Sequence, residues 1–315
     1  MELFLIVVLF AVGLVLIVKG GDWFVDSASW LAEVTGIPKF IIGATIVSVA
    51  TTLPEMIVSI MAALDGKVDM AVGNAVGSVV ANTGLILALS LICIPGVINR
   101  KQFTSKVFLL LAAAAALLVF SLSGQVTLYA GIVLGAIFLL YVADNLRSGK
   151  EKSEGDERTP FVKSELPKRL FFFAAGAAGI VIGARLLVDN GSELARIMGV
   201  PENIIGLTFV AIGTSLPELV TAITAIIKKQ GSLSVGNIIG ANVIDLALIL
   251  PICAALSGGS LPVNAQTYLL DLPVCLIFTV IAMVPTIITG KFRRWQGFTL
   301  MGGYAVYLAM MVSTL

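Results

Sequence analysis

One stretch of this 315-residue chain occurs twice at a fixed distance. Residues 43–87 align without a gap to residues 206–250, an offset of 163, and 17 of the 45 positions are identical. The identical pairs include Pro54-Glu55 with Pro217-Glu218 and Gly73-Asn74 with Gly236-Asn237. Shared apolar composition would produce matches among Leu, Ile and Val instead. The fold must therefore contain two copies of one unit.

The chain is also strongly apolar. Hydrophobic residues make up 58% of it and charged residues 12%, about half the charged share of a soluble domain. This composition excludes a soluble enzyme and a nucleic-acid binder, and it favours a polytopic membrane protein. Ten segments are long and apolar enough to span a bilayer, and they lie near 3–19, 39–64, 70–94, 106–122, 126–144, 169–188, 202–227, 234–256, 267–289 and 295–313.

The ten predicted spans fall into two sets of five, separated by one long polar stretch. We predict an all-α polytopic membrane protein with a first five-helix repeat at 1–146, a cytoplasmic linker at 147–168 and a second five-helix repeat at 169–315. Because five is an odd number, the two copies cross the membrane in opposite senses. Inverted repeats are typical of secondary transporters, whose substrates bind near the midplane where the repeats meet.

The basic residues predict the orientation. With the linker on the cytoplasmic side, 17 of the 20 lysines and arginines, Lys19 among them, face the cytoplasm. The other three are Lys67, Arg185 and Arg196. The positive-inside rule therefore predicts a multi-pass protein of the cell membrane with both termini outside.

Three acidic residues lie deep inside the predicted spans: Glu55, Glu218 and Asp245. An ionised side chain at the centre of a membrane helix costs at least about 2.5–3.5 kcal/mol, and no lysine or arginine lies at a comparable depth. A bound metal ion or a proton must then supply the positive charge. The chain has no histidine, which excludes imidazole ligands and imidazole proton relays.

Small polar residues lie on the same helix face as each glutamate. Before Glu55 they are Ser48, Thr51 and Thr52, and before Glu218 they are Thr214 and Ser215. We expect Pro54 and Pro217 to break their helices and to leave backbone carbonyls free at membrane depth. Carbonyls, hydroxyls and carboxylates are hard oxygen ligands, suited to Ca²⁺ or Na⁺.

A second set of polar positions lies on the third and eighth spans. Asn74, Ser78 and Asn82 recur every four residues, and the equivalent positions hold Asn237, Ala241 and Asp245. Because Asn82 and Asp245 are repeat partners, we predict a chemically asymmetric site.

The two repeated motifs read GATIVSVATTLPE…GNAVGSVVAN from Gly43 and GLTFVAIGTSLPE…GNIIGANVID from Gly206. They resemble those of the cation/Ca²⁺ exchanger superfamily, and of the prokaryotic sodium/calcium exchangers in particular. The resemblance covers essentially the whole chain. It implies ten helices, ion sites formed by helices 2, 3, 7 and 8, and sliding of helices 1 and 6 during alternating access.

The resemblance also implies roles for single residues. Glu55 and Glu218 correspond to the central ligands of Ca²⁺ and Na⁺. Thr51 and Thr214 correspond to ligands through their carbonyls, Ser48, Ser78, Ala211 and Ser215 to contributors to flanking Na⁺ sites, and Asn82 and Asp245 to the middle site. The first repeat departs from the usual Gly-Thr-Ser by reading Ala50-Thr51-Thr52. Thr52 keeps the hydroxyl and adds a methyl group.

These features predict a secondary antiporter that exchanges Na⁺ for Ca²⁺ across the cell membrane by alternating access and electrogenically. The Gly-Asn…Glu signatures of proton-coupled relatives are missing, which favours Na⁺ over H⁺. Ca²⁺/H⁺ exchange stays an alternative, as does K⁺-dependent exchange, because the K⁺-dependent branch also carries an aspartate like Asp245. A cation channel is a third alternative.

An enzyme is disfavoured, because no nucleophile–base pair is evident. We expect no cofactor other than the transported Ca²⁺ and Na⁺, and no nucleic acid or obligate protein partner beside the lipid bilayer.

Overall fold

The computed structural model describes residues 2–150, 163–199 and 213–313. These residues form ten helices and a two-stranded ribbon. The helices are α1 (Glu2–Thr35), α2 (Lys39–Leu64), α3 (Val68–Cys93), α4 (Arg100–Ser121), α5 (Leu128–Ser148), α6 (Leu166–Ile197), α7 (Leu216–Ile227), α8 (Gly231–Leu256), α9 (Thr267–Thr289) and α10 (Arg294–Ser313). The strands are β1 (Gln125–Thr127) and β2 (Ser260–Pro262).

Eight of these helices, α1–α6, α8 and α9, are long and apolar enough to cross a membrane. The prediction of an all-helical polytopic membrane protein is thus confirmed. The antiparallel ribbon, in which Val126 lies opposite Leu261, was not predicted.

Helices α1 and α6 are much longer than predicted, with 34 and 32 residues. The apolar windows ended where charged residues begin, but exposed charges do not stop a helix. At 1.5 Å per residue α1 is about 50 Å long, more than the roughly 30 Å of a hydrocarbon core, so it must tilt or project from the bilayer. Lys19, expected at the cytoplasmic face, lies near the middle of α1, one turn before Asp22. Residues 202–212 of the seventh predicted span lie outside the described residues.

The long helices α1 and α6 cross in direct backbone contact. A Cβ on Gly20 would lie 2.8 Å from the Gly176 carbonyl oxygen, and a Cβ on Gly183 would lie 2.8 Å from that of Gly13. Both distances are shorter than real side chains tolerate. Glycine at these positions lets the helices approach closely, as is common between membrane helices.

Helix α8 lies at the centre, and every residue from Leu233 to Ile244 is buried. A Cβ on Gly236 would lie 2.1 Å from the Phe40 carbonyl oxygen, and one on Gly240 would lie 2.4 Å from Ser48 Oγ. These contacts bring α8 directly against α2. The second repeat thereby meets the first at its polar motif.

Three central helices contain π-helical stretches, Gly43–Val47 in α2, Asn82–Leu87 in α3 and Asp245–Ile249 in α8. The stretches in α3 and α8 begin at repeat partners, and π-bulges frequently mark functional sites. Pro217 stands at the start of α7, directly after a turn, so the predicted break is confirmed there. At Pro54 it was wrong, since the helix continues through the proline. The carbonyl of Ala50 still lacks the N–H that another residue at position 54 would donate.

The loops fall into two groups. The ribbon joins the α4–α5 and α8–α9 connections. Val97 in the α3–α4 connection bridges to Lys291 in the α9–α10 connection, and the Arg100 guanidinium donates to the Ile288 carbonyl at 2.7 Å. If the connections are numbered in chain order, even-numbered ones contact each other and odd-numbered ones contact each other. A chain that crosses a membrane with each helix requires this arrangement.

Lys106 of α4 is fully buried and has its own acidic partner. Its Nζ lies 2.6 Å from Asp144 Oδ2 and donates to Ser148 Oγ at 2.7 Å, which ties α4 to α5. This base therefore pairs with α5 and not with the acids of the central helices.

Candidate ion-binding site

Helices α2, α3, α7 and α8 meet in the interior, two from each sequence repeat. They carry the three acids singled out in the sequence. Glu55, Glu218 and Asp245 are all buried, and Glu55 and Asp245 are each close enough to Glu218 to be affected by its charge. The structure thus places the three acids in one buried region.

The oxygens of these acids are mostly without hydrogen-bond donors. Both carboxylate oxygens of Glu55, both of Asp245 and Oε2 of Glu218 have no partner in the described part of the chain. Buried polar atoms are nearly always satisfied in proteins, and an unpaired buried charge is costly. A cation bound among them would satisfy these oxygens.

Two hydrogen bonds cross between the repeats. Thr52 Oγ1 of α2 donates to Glu218 Oε1 of α7 at 3.2 Å. Thr51 Oγ1 donates to Asn237 Oδ1 of α8 at 3.1 Å. The hydroxyl groups of the first motif thus orient an acid and an amide of the second.

The hydrogen bonds do not follow the sequence symmetry. The repeat partner of the Thr52–Glu218 bond would join Ser215 to Glu55, but Ser215 Oγ and both oxygens of Glu55 have no partner within the described residues. Asn74 also differs from its partner Asn237, because its Nδ2 donates to the Glu55 carbonyl at 3.2 Å and to Ser59 Oγ at 2.9 Å. The two related motifs therefore adopt different arrangements in one structure.

Asn82 and Asp245 extend the site along α3 and α8. Both are buried, and both have side-chain atoms without partners in the described chain. Asn242 Nδ2 donates to Thr83 Oγ1 at 2.9 Å, which ties the two helices together beside them. The predicted chemical asymmetry, an amide against a carboxyl, therefore lies in the interior.

The remaining predicted ligands differ in burial. Ser48 and Ser78 are buried, and the Ser48 hydroxyl donates to the Thr45 carbonyl of its own helix at 3.0 Å. Thr214 is partly exposed in the turn before α7. Ala211 lies outside the described residues.

The structure adds two residues that the sequence analysis did not select. Thr221, one turn after Glu218, is fully buried, and its hydroxyl has no hydrogen-bond partner among the residues described. Its spacing from Glu218 was the available signal, but its repeat partner Val58 is apolar. Tyr141 of α5 donates to the Ala44 carbonyl at 2.8 Å, within the π-helical stretch of α2. That contact could not be inferred from the motifs.

Among the described residues, no group of three or more His, Cys, Asp and Glu side chains is arranged to hold a metal ion by itself. A cation at this site would therefore also need hydroxyl, amide and carbonyl oxygens. Such a mixed oxygen set suits hard cations, among them Ca²⁺, which takes six to eight oxygen ligands.

Known proteins share both the sequence and the fold. The sodium/calcium exchanger protein family model matches residues 5–146 and 168–313. The inner membrane protein YrbG of Escherichia coli K12 is 36% identical over 313 residues, covering 96% of this chain and 95% of that protein. The sodium/calcium exchanger MaX1 of Methanosarcina acetivorans is 29% identical over 340 residues, covering 95% and 96%.

A solved structure of the sodium-calcium exchanger NCX_Mj, soaked with Na⁺ and Sr²⁺, has the same fold. The two structures match with a TM-score of 0.83 at 29% identity, covering 98% of this chain and 99% of that one. Because the family match spans nearly the full length, this chain is a multi-pass integral membrane protein that belongs to the sodium/calcium exchanger family.

Proposed function

We propose that this protein exchanges Na⁺ for Ca²⁺ across the cell membrane by alternating access, with both ions bound in turn at Glu55 and Glu218. The observation that carries the proposal is that repeat-equivalent glutamates from two facing helices are buried and that, within the described residues, three of their oxygens have no hydrogen-bond partner and neither has a basic partner. Two carboxylates balance the charge of one Ca²⁺. Family membership and the named exchangers among its relatives support the choice of ions. Exchange, and not catalysis, is the activity proposed.

The remaining ligands follow from the resemblance and from position. Thr51 and Thr214 supply carbonyl oxygens, and Asn82 and Asp245 form the middle of the site. Residues that contribute to the flanking Na⁺ positions are Ser48, Thr52, Ser78, Ala211 and Ser215. The unpartnered Ser215 hydroxyl supports this assignment for one of them.

We further propose that the two halves are inverted repeats, at 1–146 and 169–315, joined by a linker at 147–168. The crossing of α1 and α6 supports this. Gly13 contacts Gly183 while Gly20 contacts Gly176, and at the offset of 163 the repeat partners are Gly13 with Gly176 and Gly20 with Gly183. A contact between i and j′ matched by one between j and i′ is what a two-fold axis produces.

Alternating access then follows from two similar halves that adopt different arrangements around one site. With the linker and its basic residues in the cytoplasm, both termini lie outside. The bridge between two odd-numbered connections, α3–α4 and α9–α10, supports this topology, because the linker between α5 and α6 is also odd-numbered.

Removing either carboxylate charge should abolish exchange. We expect Glu55→Gln and Glu218→Gln each to lose Na⁺-driven Ca²⁺ uptake, because an amide provides no charge to a divalent ion. Uptake is measured in proteoliposomes loaded with Na⁺, and the wild type should accumulate Ca²⁺ against its gradient.

Glu193→Gln is the matched control, because Glu193 lies on α6 in an ion pair with Arg196 away from the site, and it should retain uptake. Near-normal uptake by either site variant would refute the assignment. Wild-type uptake that needs an imposed H⁺ or K⁺ gradient would favour the alternatives, and ion flux that never runs uphill would favour a channel.

Asp245→Asn should be milder than the two glutamate changes. The variant makes α8 match Asn82 of α3 and keeps an oxygen ligand, while Glu55 and Glu218 still balance one Ca²⁺. The measurement is the apparent Ca²⁺ affinity and maximal uptake rate in the same vesicles. Complete loss of transport would mean that Asp245 must carry charge, which would favour H⁺ or K⁺ coupling.

Exchange should also move charge. The family resemblance implies a stoichiometry of three Na⁺ for one Ca²⁺. Three Na⁺ at two glutamates leave a net charge of one, whereas one Ca²⁺ leaves none. One charge moved through 100 mV is worth about 2.3 kcal/mol, or about fortyfold in the equilibrium Ca²⁺ ratio. Na⁺-loaded vesicles should therefore accumulate more Ca²⁺ when their interior is held positive.

The membrane potential is clamped with K⁺ and valinomycin. The measurement is repeated with a second permeant ion, because K⁺ itself is a candidate substrate. Uptake that does not depend on the potential would contradict the three-to-one stoichiometry.

A further inference from the structure

Lys228, directly after the end of α7, binds two aspartates of α1. Its Nζ lies 3.2 Å from Asp22 Oδ1 and 2.9 Å from Asp26 Oδ1. Partial burial lowers the pKa of Lys228, but hydrogen bonds and the charges of Asp26 and Asp22 outweigh burial and raise it. The lysine therefore stays charged at neutral pH. Next to it the helices touch, since a Cβ on Gly21 would lie 2.6 Å from Thr224 Oγ1.

The sequence repeat provides a counterpart with its charges exchanged. At the offset of 163, Lys228 corresponds to Asp65 at the end of α2, and Asp22 corresponds to Arg185 of α6. Both positions carry the opposite charge in the other repeat, so Asp65 and Arg185 can attract each other as Lys228 and Asp22 do. Asp26 corresponds to Asp189, which has the same charge as Asp65, but Lys67 follows Asp65 by two residues and offers Asp189 an opposite charge.

This counterpart is not formed in the structure. Asp65 instead lies 3.7 Å from Lys67, and its side chain is 56% exposed, against 24% for Lys228. Met61 of α2 is 53% exposed, whereas its repeat partner Thr224 is 8% exposed. Arg185 is exposed and forms no ion pair with the described residues. One end of the molecule is therefore tied by charge while the equivalent opposite end is open.

We propose that Lys228 with Asp22 and Asp26, and Asp65 with Arg185, form two latches that close in turn at opposite faces of the membrane. The inference rests on the proposed exchange by alternating access. Because α1 and α6 contact each other through glycine backbones, they can move as one body against α2 and α7, so that one latch opens as the other closes. These five are positioning residues, since none lies at the ion site.

Pairs this exposed are individually weak, which suits a reversible switch. Their charge exchange between the halves also prevents either helix end from pairing with the wrong partner, because Lys228 and Arg185 repel each other, as do Asp65 and Asp22.

Cross-linking tests the open latch directly. Cys93 is exposed and is first replaced by serine, while the buried Cys253 and Cys275 stay. Asp65→Cys with Arg185→Cys should be joined by a short bis-methanethiosulfonate, block Na⁺-driven Ca²⁺ uptake, and recover on reduction. Asp65→Cys with Arg196→Cys is the control, because Arg196 lies 11 residues further along α6, about 16 Å. We call Asp65→Cys with Arg185→Cys the outer pair. Cross-linking of the outer pair no faster than that of the control would overturn the proposal.

Breaking the contact between Lys228 and the two aspartates should favour closure of the Asp65–Arg185 latch. Lys228→Glu should speed cross-linking of the outer pair by about threefold, as expected when exposed ion pairs of ordinary strength are lost. Lys229→Glu should leave the rate unchanged, and Lys228→Gln replaces Lys228→Glu if the latter does not give a monodisperse protein. Equal rates in the Lys228 and Lys229 variants would overturn the link between the two latches.

The two proposals fail separately, because cross-linking is measured without an ion gradient. A protein that exchanges Na⁺ for Ca²⁺ but does not show this cross-linking pattern refutes the latches. If cross-linking shows this pattern but Na⁺ does not drive Ca²⁺ uptake, the latches are supported and exchange of Na⁺ for Ca²⁺ is refuted.

Discussion

The constraint on which the rest of this structure depends is a set of five buried carboxylate oxygens that have no hydrogen-bond donor among the described residues. Burying an ionised carboxylate without a partner costs several kcal/mol, and proteins normally avoid it by pairing the acid with a base. Here the buried base, Lys106, is already paired with Asp144 between α4 and α5. The acids of α2, α7 and α8 are consequently the groups that we propose bind the transported ions.

The surrounding structure keeps these acids in place without satisfying them. Glycines on α8 bring its backbone against α2, and Asn242 ties α8 to α3. Asn74 holds the backbone of Glu55 and leaves its carboxylate free. Packing and amide hydrogen bonds thus provide the rigidity, while the charged oxygens stay available. Thr52 donates a hydrogen bond to Glu218, whereas the equivalent Ser215 and Glu55 have no such bond within the described residues. The two halves therefore differ at the candidate site, as they do at the ends of α2 and α7.

The chemistry of the site could be predicted from the sequence to a large extent, because helical spacing fixes which side chains share a face with a glutamate. The motif duplication identified Glu55, Glu218 and Asp245. Geometry between helices could not be predicted, since it depends on packing that no local pattern encodes. The cross-repeat hydrogen bonds of Thr51 and Thr52 and the π-helical stretches belong to this class.

Two of the errors concern where helices end. The lengths of α1 and α6 were underestimated because hydropathy reports the membrane core, whereas a helix ends only where its backbone hydrogen bonds end. The break expected at Pro54 is absent because one missing N–H does not by itself end a helix whose other backbone hydrogen bonds are kept. Thr221 escaped notice because a search by repeat symmetry finds only residues whose partners are also polar.

The central claim is that Na⁺ and Ca²⁺ occupy one site in turn, and equilibrium binding tests it most directly. Binding of radioactive Ca²⁺ to the purified wild-type protein is measured across a series of Na⁺ concentrations, with choline replacing Na⁺ to hold ionic strength constant. The account predicts that Na⁺ displaces Ca²⁺ completely and with a Hill coefficient above one, because more than one Na⁺ replaces each Ca²⁺. Ca²⁺ that stays bound at saturating Na⁺ would show that the two ions use separate sites, and would contradict the account.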